Sequence, residues 1–202
     1  MLKELFESSF YITFPKKSGC VLNIDEQKID HDFSLCDKKA CSQCRNVCNT
    51  QPNKREQLLV KTSKQVWYVS IDQVVSYINE SVGETCDFMI DDGSRVALIE
   101  MTCSTIDYAG SKRKTARRQL KNTLCILMAN PDIKHHIDSE YIKEVIFSWK
   151  ETVNSSQNPD MIEKSFLDML SMDNEIYSAD NVSSFESGFS WREIKYDDKL
   201  IW

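Results

Sequence analysis

The sequence predicts an α/β fold, a mixed central sheet flanked by helices, with a small four-cysteine metal knuckle in its N-terminal part. Three observations predict it. Residues 86–90 and 95–103 are two apolar strand-like runs separated by Asp91-Asp92-Gly93-Ser94. Residues 111–128 repeat apolar side chains at helical spacing. Residues 36–48 hold four of the eight cysteines.

The strand pair comes first. Asp and Gly accept the positive φ that a tight turn requires, so residues 91–94 are expected to close a hairpin. Val96-Ala97-Leu98-Ile99 is the pattern of a strand covered on both faces. Glu100 interrupts it, and a carboxylate there is costly unless it is paired or binds a cation. Alternation places Glu100 and Thr102 on one face. Asp87 in the partner strand can meet them. Two carboxylates at one end of a sheet suit a hard, oxygen-seeking cation such as Mg²⁺. The plainer alternative is a Glu100 that reaches water at a strand end.

Residues 111–128 are expected to be helical, with Ser111 at the N-cap and Pro131 beyond the end. Ala116, Leu120, Leu124, Leu127 and Met128 share its inner face. Lys112, Arg113, Lys114, Arg117, Arg118 and Lys121 crowd its first half, where the helix dipole disfavours cations. Such a cluster beside a metal site suits a phosphate backbone. A merely solvated basic face is the alternative.

These residues resemble the core of the PD-(D/E)xK nuclease superfamily, the restriction-endonuclease-like fold. Its pattern is a strand carrying Asp, a turn, a strand ending Glu-x-Lys, and a helix that often carries Gln followed by an apolar residue. Here the matching pieces are Asp87 within residues 86–90, Glu100-Met101-Thr102, and Gln119-Leu120 followed by Thr123. The resemblance covers about 45 of the 202 residues. It implies Mg²⁺ (or Mn²⁺) held by Asp87 and Glu100, and Gln119 as an orienting group. It also implies a catalytic Lys at Thr102. Thr carries no charge, so Lys112 or Lys114 would have to supply the missing cation, or the site is inactive. Members often take a further acid from the preceding helix, which makes Glu80 a weak candidate.

Cys36, Cys41, Cys44 and Cys48 are separated by four, two and three residues. In a chain kept reduced, clustered cysteines point to metal rather than disulfides. Four thiolates complete a tetrahedral structural Zn²⁺ site. An iron–sulfur cluster uses the same number and stays open, as do ordinary cysteines.

The remaining chain is read in order. Residues 1–56 are expected to hold an N-terminal hairpin, from strands 10–14 and 20–24, then the cysteine knuckle and a linker at 49–56. Residues 57–202 form the nuclease-like core, as one compact unit with the first part. Residues 58–60 and 65–70 have strand composition, and 71–82 a helical pattern. His135 and His136 are adjacent and are expected at the surface rather than as ligands. Residues 144–149 form a strand, expected to lie parallel to the Glu100 strand through a right-handed crossover. A loop at 155–159, a helix at 160–172, a polar loop at 173–184 and a last strand at 188–196 follow.

Composition narrows the function. Apolar content of 41% and charged content of 28% are ordinary for a globular protein, and the net charge is −6. Any nucleic-acid contact must therefore be local. No run approaches the roughly 18–20 apolar residues that cross a bilayer. The first residues show no basic segment leading into an apolar one, so no signal peptide and a cytoplasmic location are expected. The expected function is metal-dependent hydrolysis of DNA, with RNA also possible. The alternative is an inactive nuclease-fold subunit that binds nucleic acid or a protein partner in a larger complex, for instance one serving defence. A third reading is a zinc-knuckle interaction protein in which Glu100 is incidental.

Overall fold

In a computed structural model, residues 2–24, 26–36, 47–48, 57–104, 109–151, 182–195 and 199–202 are described. They form three layers: helices, a seven-stranded mixed sheet, and a four-stranded sheet.

The first sheet is built around the predicted hairpin, β6 (Phe88–Asp91) and β7 (Arg95–Ser104), which pair antiparallel. The turn is held by its own side chains. Asp92 Oδ1 accepts from Ser94 N and Arg95 N at 2.8 and 2.9 Å, Asp91 Oδ1 accepts from Gly93 N at 2.7 Å, and Gly93 takes φ 82°. β8 (Ile142–Glu151) runs parallel to β7. β1 (Glu26–Ile29), β5 (Val66–Ser70), β9 (Val182–Ser184) and β10 (Ser190–Lys195) complete the order β1-β5-β6-β7-β8-β10-β9. The second sheet has the order β11-β4-β2-β3, from β2 (Phe33–Cys36), β3 (Val47–Cys48), β4 (Gln57–Lys61) and β11 (Lys199–Ile201).

Alternation along β7 divides the core. Val96 and Leu98 pack with the helices; Ala97, Ile99 and Met101 pack with Phe33, Leu35, Leu58, Val60 and Leu200 of the second sheet. Residues 96–99 have no exposed surface, as a two-faced strand requires. Full burial of such side chains contributes about 1.5–3 kcal/mol each for Val, Leu and Ile. The same alternation carries Glu100 and Thr102 to the helical side, after Val96 and Leu98.

The helical layer contains α1 (Leu2–Leu5), a π-helical turn at Phe6–Phe10, α2 (Tyr11–Thr13), α3 (Ile71–Ser76), α4 (Ala109–Met128) and α5 (Pro131–Ser139). Ala116, Leu120, Leu124 and Leu127 of α4 are buried against the sheet, as their spacing predicts. α4 starts at Ala109, so Ser111 lies within it rather than capping it. α5 was not anticipated. Asn130 caps it, accepting from Asp132 N and Ile133 N, and Pro131 follows where its missing N–H costs nothing.

Three local expectations fail for tertiary reasons. Residues 10–14 are not a strand. Leu2, Phe6 and Phe10 recur every four residues and all enter the core, so the helical period outweighs the aromatic composition. Residues 20–24 form no strand either. The helix expected over 71–82 ends at Ser76, because the chain then pairs with an earlier segment. Lys17 N donates to Tyr77 O, Asn79 N donates to Pro15 O, and Lys16 bridges Ile78.

The C-terminal end is tied down. Trp202 N donates to Lys61 O at 2.8 Å, and the Arg95 guanidinium lies 4.4 Å over the Trp202 ring. The expected last strand is β10, which pairs parallel with β8. Among the described residues, no helix is long and apolar enough to cross a membrane. The linker at 49–56, the loop at 155–159 and the helix at 160–172 lie outside the described residues.

Candidate active site

β6, β7 and α4 converge on a cleft of about 350 Å³. Asp72, Glu84, Thr85, Asp87, Glu100, Thr102, Lys112 and Gln119 supply its polar wall, with Phe147 beneath. Asp87, Glu100, Thr102, Lys112 and Gln119, all singled out from sequence, thus meet in one place. Lys114 is exposed and does not line the cleft.

Backbone pairing and side-chain ties aim the acids. Asp87 lies immediately before β6, where its N–H donates to Ile99 O and its carbonyl accepts from Ile71 N. Its Oδ2 accepts from Met101 N at 2.8 Å. The carboxylate is therefore oriented by the strand that carries Glu100. Glu100 is 8% exposed, so it is a largely desolvated acid at the mouth of an apolar strand. Residues 82–86 are stitched to α4. Asn122 donates to Val82 O and Glu84 O, Gln119 Nε2 donates to Thr85 O at 3.2 Å, and Thr123 Oγ1 accepts from Cys86 N at 2.8 Å.

Asp72, in the first turn of α3, and Glu84 are the cleft acids that sequence reasoning missed. Thr85 Oγ1 donates to Asp72 Oδ1 at 3.1 Å. Glu80 is exposed and lies outside the cleft lining; the early end of α3 removes it. A capping Ser70 followed by an acid in the first helical turn was the available signal for Asp72. Burial pushes the Cys86 thiol up, and the nearby Glu100, Asp87 and Asp72 carboxylates add to the shift. Three carboxylates thus concentrate negative potential at one corner. Asp72, Asp87 and Glu100 line this corner with oxygen donors alone, the donor type that Mg²⁺ and Mn²⁺ prefer.

The basic helix is more divided than its sequence suggests. Arg113 is buried, and its Nε and Nη2 donate to the Glu193 carboxylate at 2.6 and 2.8 Å, so its assignment to a nucleic-acid contact is corrected to a structural role. Arg117 lies 5.0 Å over the Trp191 ring. Arg118 pairs with Glu84 and Lys121 with Glu186, each at 2.6 Å and exposed. Lys112 and Lys114 have no ion-pair partner among the described residues. The pairing partners are 34, 65 and 80 residues away, beyond what a helical pattern conveys.

Of the four cysteines expected to form a knuckle, Cys36 ends β2 and is buried, and Cys48 lies in the adjacent β3, opposite Ser34. Cys41 and Cys44 lie outside the described residues. His135 is exposed as expected, but His136 is half-buried, its Nε2 2.7 Å from Asp91 Oδ2. This corrects its placement at the surface: α5 turns that side of the helix toward the hairpin.

We compared the chain with protein-family models, with curated proteins and with solved structures, and none of them matches.

Proposed function

We propose that the protein is a divalent-cation-dependent nuclease that hydrolyses DNA phosphodiester bonds in the cleft between β6, β7 and α4. One observation carries this reading. Lys112 lines the same cleft as Asp87, Glu100 and Thr102, so α4 contributes a cation to the wall of the cleft that holds Thr102, the resembled family's lysine position.

Asp87 and Glu100 hold the Mg²⁺ or Mn²⁺, with Asp72 adding negative charge beside them. When bound, the ion lowers the pKa of a coordinated water and offsets charge on the phosphate. Lys112 positions the attacking water and stabilises the charge that builds on the non-bridging oxygens. The attacking water gives up a proton to solvent as its oxygen forms the new P–O bond, the ester P–O bond breaks, and the leaving oxygen takes a proton from solvent. Gln119, steadied by its bond to Thr85 O, donates to the water or the phosphate. Lys114 contacts the backbone on either side, and such contacts position without reading sequence.

A second reading keeps the fold and drops the chemistry: an inactive subunit that binds nucleic acid or a protein partner. Thr102, neutral where the family carries its lysine, favours it. Cleavage of supercoiled and linear DNA with Mg²⁺ or Mn²⁺, for wild type, Glu100→Ala and Lys112→Ala, separates the two. Metal-dependent nicking lost in both variants supports the nuclease. A folded wild type that binds DNA without cutting it favours the binding subunit.

A further inference from the structure

The hairpin turn, at the other end of β6 from the cleft, carries a second cluster. Asp91 ends β6 and has no exposed surface. Its Oδ1 accepts from Gly93 N at 2.7 Å, which aims Oδ2 at His136 Nε2, also 2.7 Å away. Glu140 closes the C-terminus of α5 four residues after His136, which brings both to one side of that helix. One oxygen from each acid and one His136 ring nitrogen all lie within 4.8 Å of one another. Among the described residues this is the group with three such atoms together.

Glu140 makes the cluster more than a His–Asp pair. It is 5% exposed, and its buried Oε2 has no hydrogen-bond partner among the described residues. A buried oxygen left without a donor is costly, and more so beside another buried carboxylate. His136 brings at most one positive charge to two acids. Asp92, Lys64 and Lys143 are the other charges nearby. Asp92 Oδ1 is taken by the turn, its Oδ2 is 3.5 Å from Lys64 Nζ, and Lys143 follows at the start of β8.

We propose that Asp91, His136 and Glu140 form a site for a borderline divalent cation, Zn²⁺ first, separate from the cleft. An imidazole nitrogen with two carboxylate oxygens is a mixed donor set that suits Zn²⁺ better than Mg²⁺ or Ca²⁺, which prefer oxygen alone. Zn–N and Zn–O bonds of about 2.0–2.2 Å place tetrahedral ligand atoms roughly 3.3 Å apart. The Asp91–His136 pair, now 2.7 Å apart, opens by about half an ångström to reach this. Gly93 N–H is then the outer donor that orients the Asp91 ligand. The ion joins the end of α5 to the hairpin turn, and a fourth position is left for water.

The test is a Zn²⁺ titration by calorimetry of the full chain, as wild type, His136→Gln, Glu140→Gln and Glu100→Gln, with crystals soaked in Zn²⁺ and measured at the zinc edge. Wild type and Glu100→Gln are expected to show one zinc more than His136→Gln and Glu140→Gln, with affinity at that site weakened more than about 100-fold, beyond the 10–100-fold that outer-shell groups cost. The anomalous peak is expected among Asp91, His136 and Glu140. Glu140→Gln removes a buried charge and keeps the shape, so it serves if His136→Gln fails to fold. Equal stoichiometry in all four proteins, or loss of the zinc in Glu100→Gln alone, overturns the proposal.

Discussion

Asp87 and Asp91 frame one short strand and meet different surroundings. They lie four residues apart, about 13 Å along the strand, on the same face as Met89. At the Asp87 end, α4 arrives with its first half and brings Lys112 and Gln119 over an open cleft with Glu100 and Asp72. At the Asp91 end, α5 arrives with its last turn and brings His136 and Glu140 over an acid with no exposed surface. The residue type and the face are the same. What differs is which end of which helix covers them. One end lines an open cleft with oxygen donors, and the other gathers a buried cluster of nitrogen and oxygen donors.

The largest expected effect separates the two ends by chemistry. Glu100→Gln should lower metal-dependent cleavage by at least about 1,000-fold, the scale of several kcal/mol of lost charge stabilisation. It should leave zinc binding at the turn untouched. A Glu100→Gln enzyme that still cuts would remove the cleft from the nuclease assignment.

Lys112→Ala comes next. Loss of a positioned proton-handling or charge-stabilising group costs roughly 10²–10⁴-fold, so cleavage should fall by that much with unchanged thermal stability. Lys114→Ala, outside the cleft lining, should change the rate by less than about 5-fold, and should act mainly on the salt dependence of DNA binding. Equal losses in the two variants would mean a diffuse basic face rather than one replacement cation.

Two structural variants sharpen the comparison from underneath. Asn130 caps α5 and its amide donates to Ser9 O and Thr13 Oγ1. Asn130→Ala should cost about 2–4 kcal/mol in denaturant unfolding, a lost cap plus an unsatisfied buried carbonyl. It should weaken the turn-end zinc site and spare DNA cleavage per folded molecule. Thr123→Val strands the Cys86 N–H at the other end. It should cost about 1–3 kcal/mol and depress cleavage, because Asp87 follows Cys86 directly. If each variant damaged both sites equally, the two ends would not be independent.

The smallest effect is on pH dependence. In protein treated with chelator, the hydrogen bond to Asp91 raises the His136 pKa above its ordinary 6.5. Burial, then the Asp91 charge, raises Glu140 above 4.5. Each group binds protons more tightly folded than unfolded, so its stabilising contribution is complete below its ordinary value and is lost as pH rises through the raised one. The melting temperature should therefore decline from about pH 4.5 to above pH 6.5. Glu140→Gln should flatten the lower part of that decline and His136→Gln the upper part. A melting temperature that climbs across this range in the same two-variant comparison would contradict the assigned causes.

Much of the framework was legible in the residues alone. The 91–94 turn, the two-faced burial of residues 96–99, the desolvated Glu100, the inner stripe of α4 and the parallel strand after it all rest on local signals. Turn chemistry, a period of two and a period of 3.6 act within a few residues of the chain. Asp87, Glu100 and Thr102 could be placed together from the alternation of one hairpin; Gln119, and Lys112 as a replacement cation, were named through the resemblance to the nuclease family.

What tertiary structure alone decided has a common cause, the choice of neighbour across long stretches of chain. Residues 10–14 had strand composition but followed the helical row of Leu2, Phe6 and Phe10 into the core. Glu80 gave way to Asp72 because residues 77–79 left α3 to bond with residues 15–17. Arg113 looked like its neighbouring cations until Glu193, 80 residues later, claimed it. His136 met Asp91 across 45 residues because Asn130 and Pro131 started a helix that sequence reading took for a break. The sequence by itself determined which segments are strands and helices near the site and which acid is buried in an apolar run, since those follow from periodicity. Which helix end covers which strand end was decided only by packing, and that choice sets the charge and the donor atoms each acid meets.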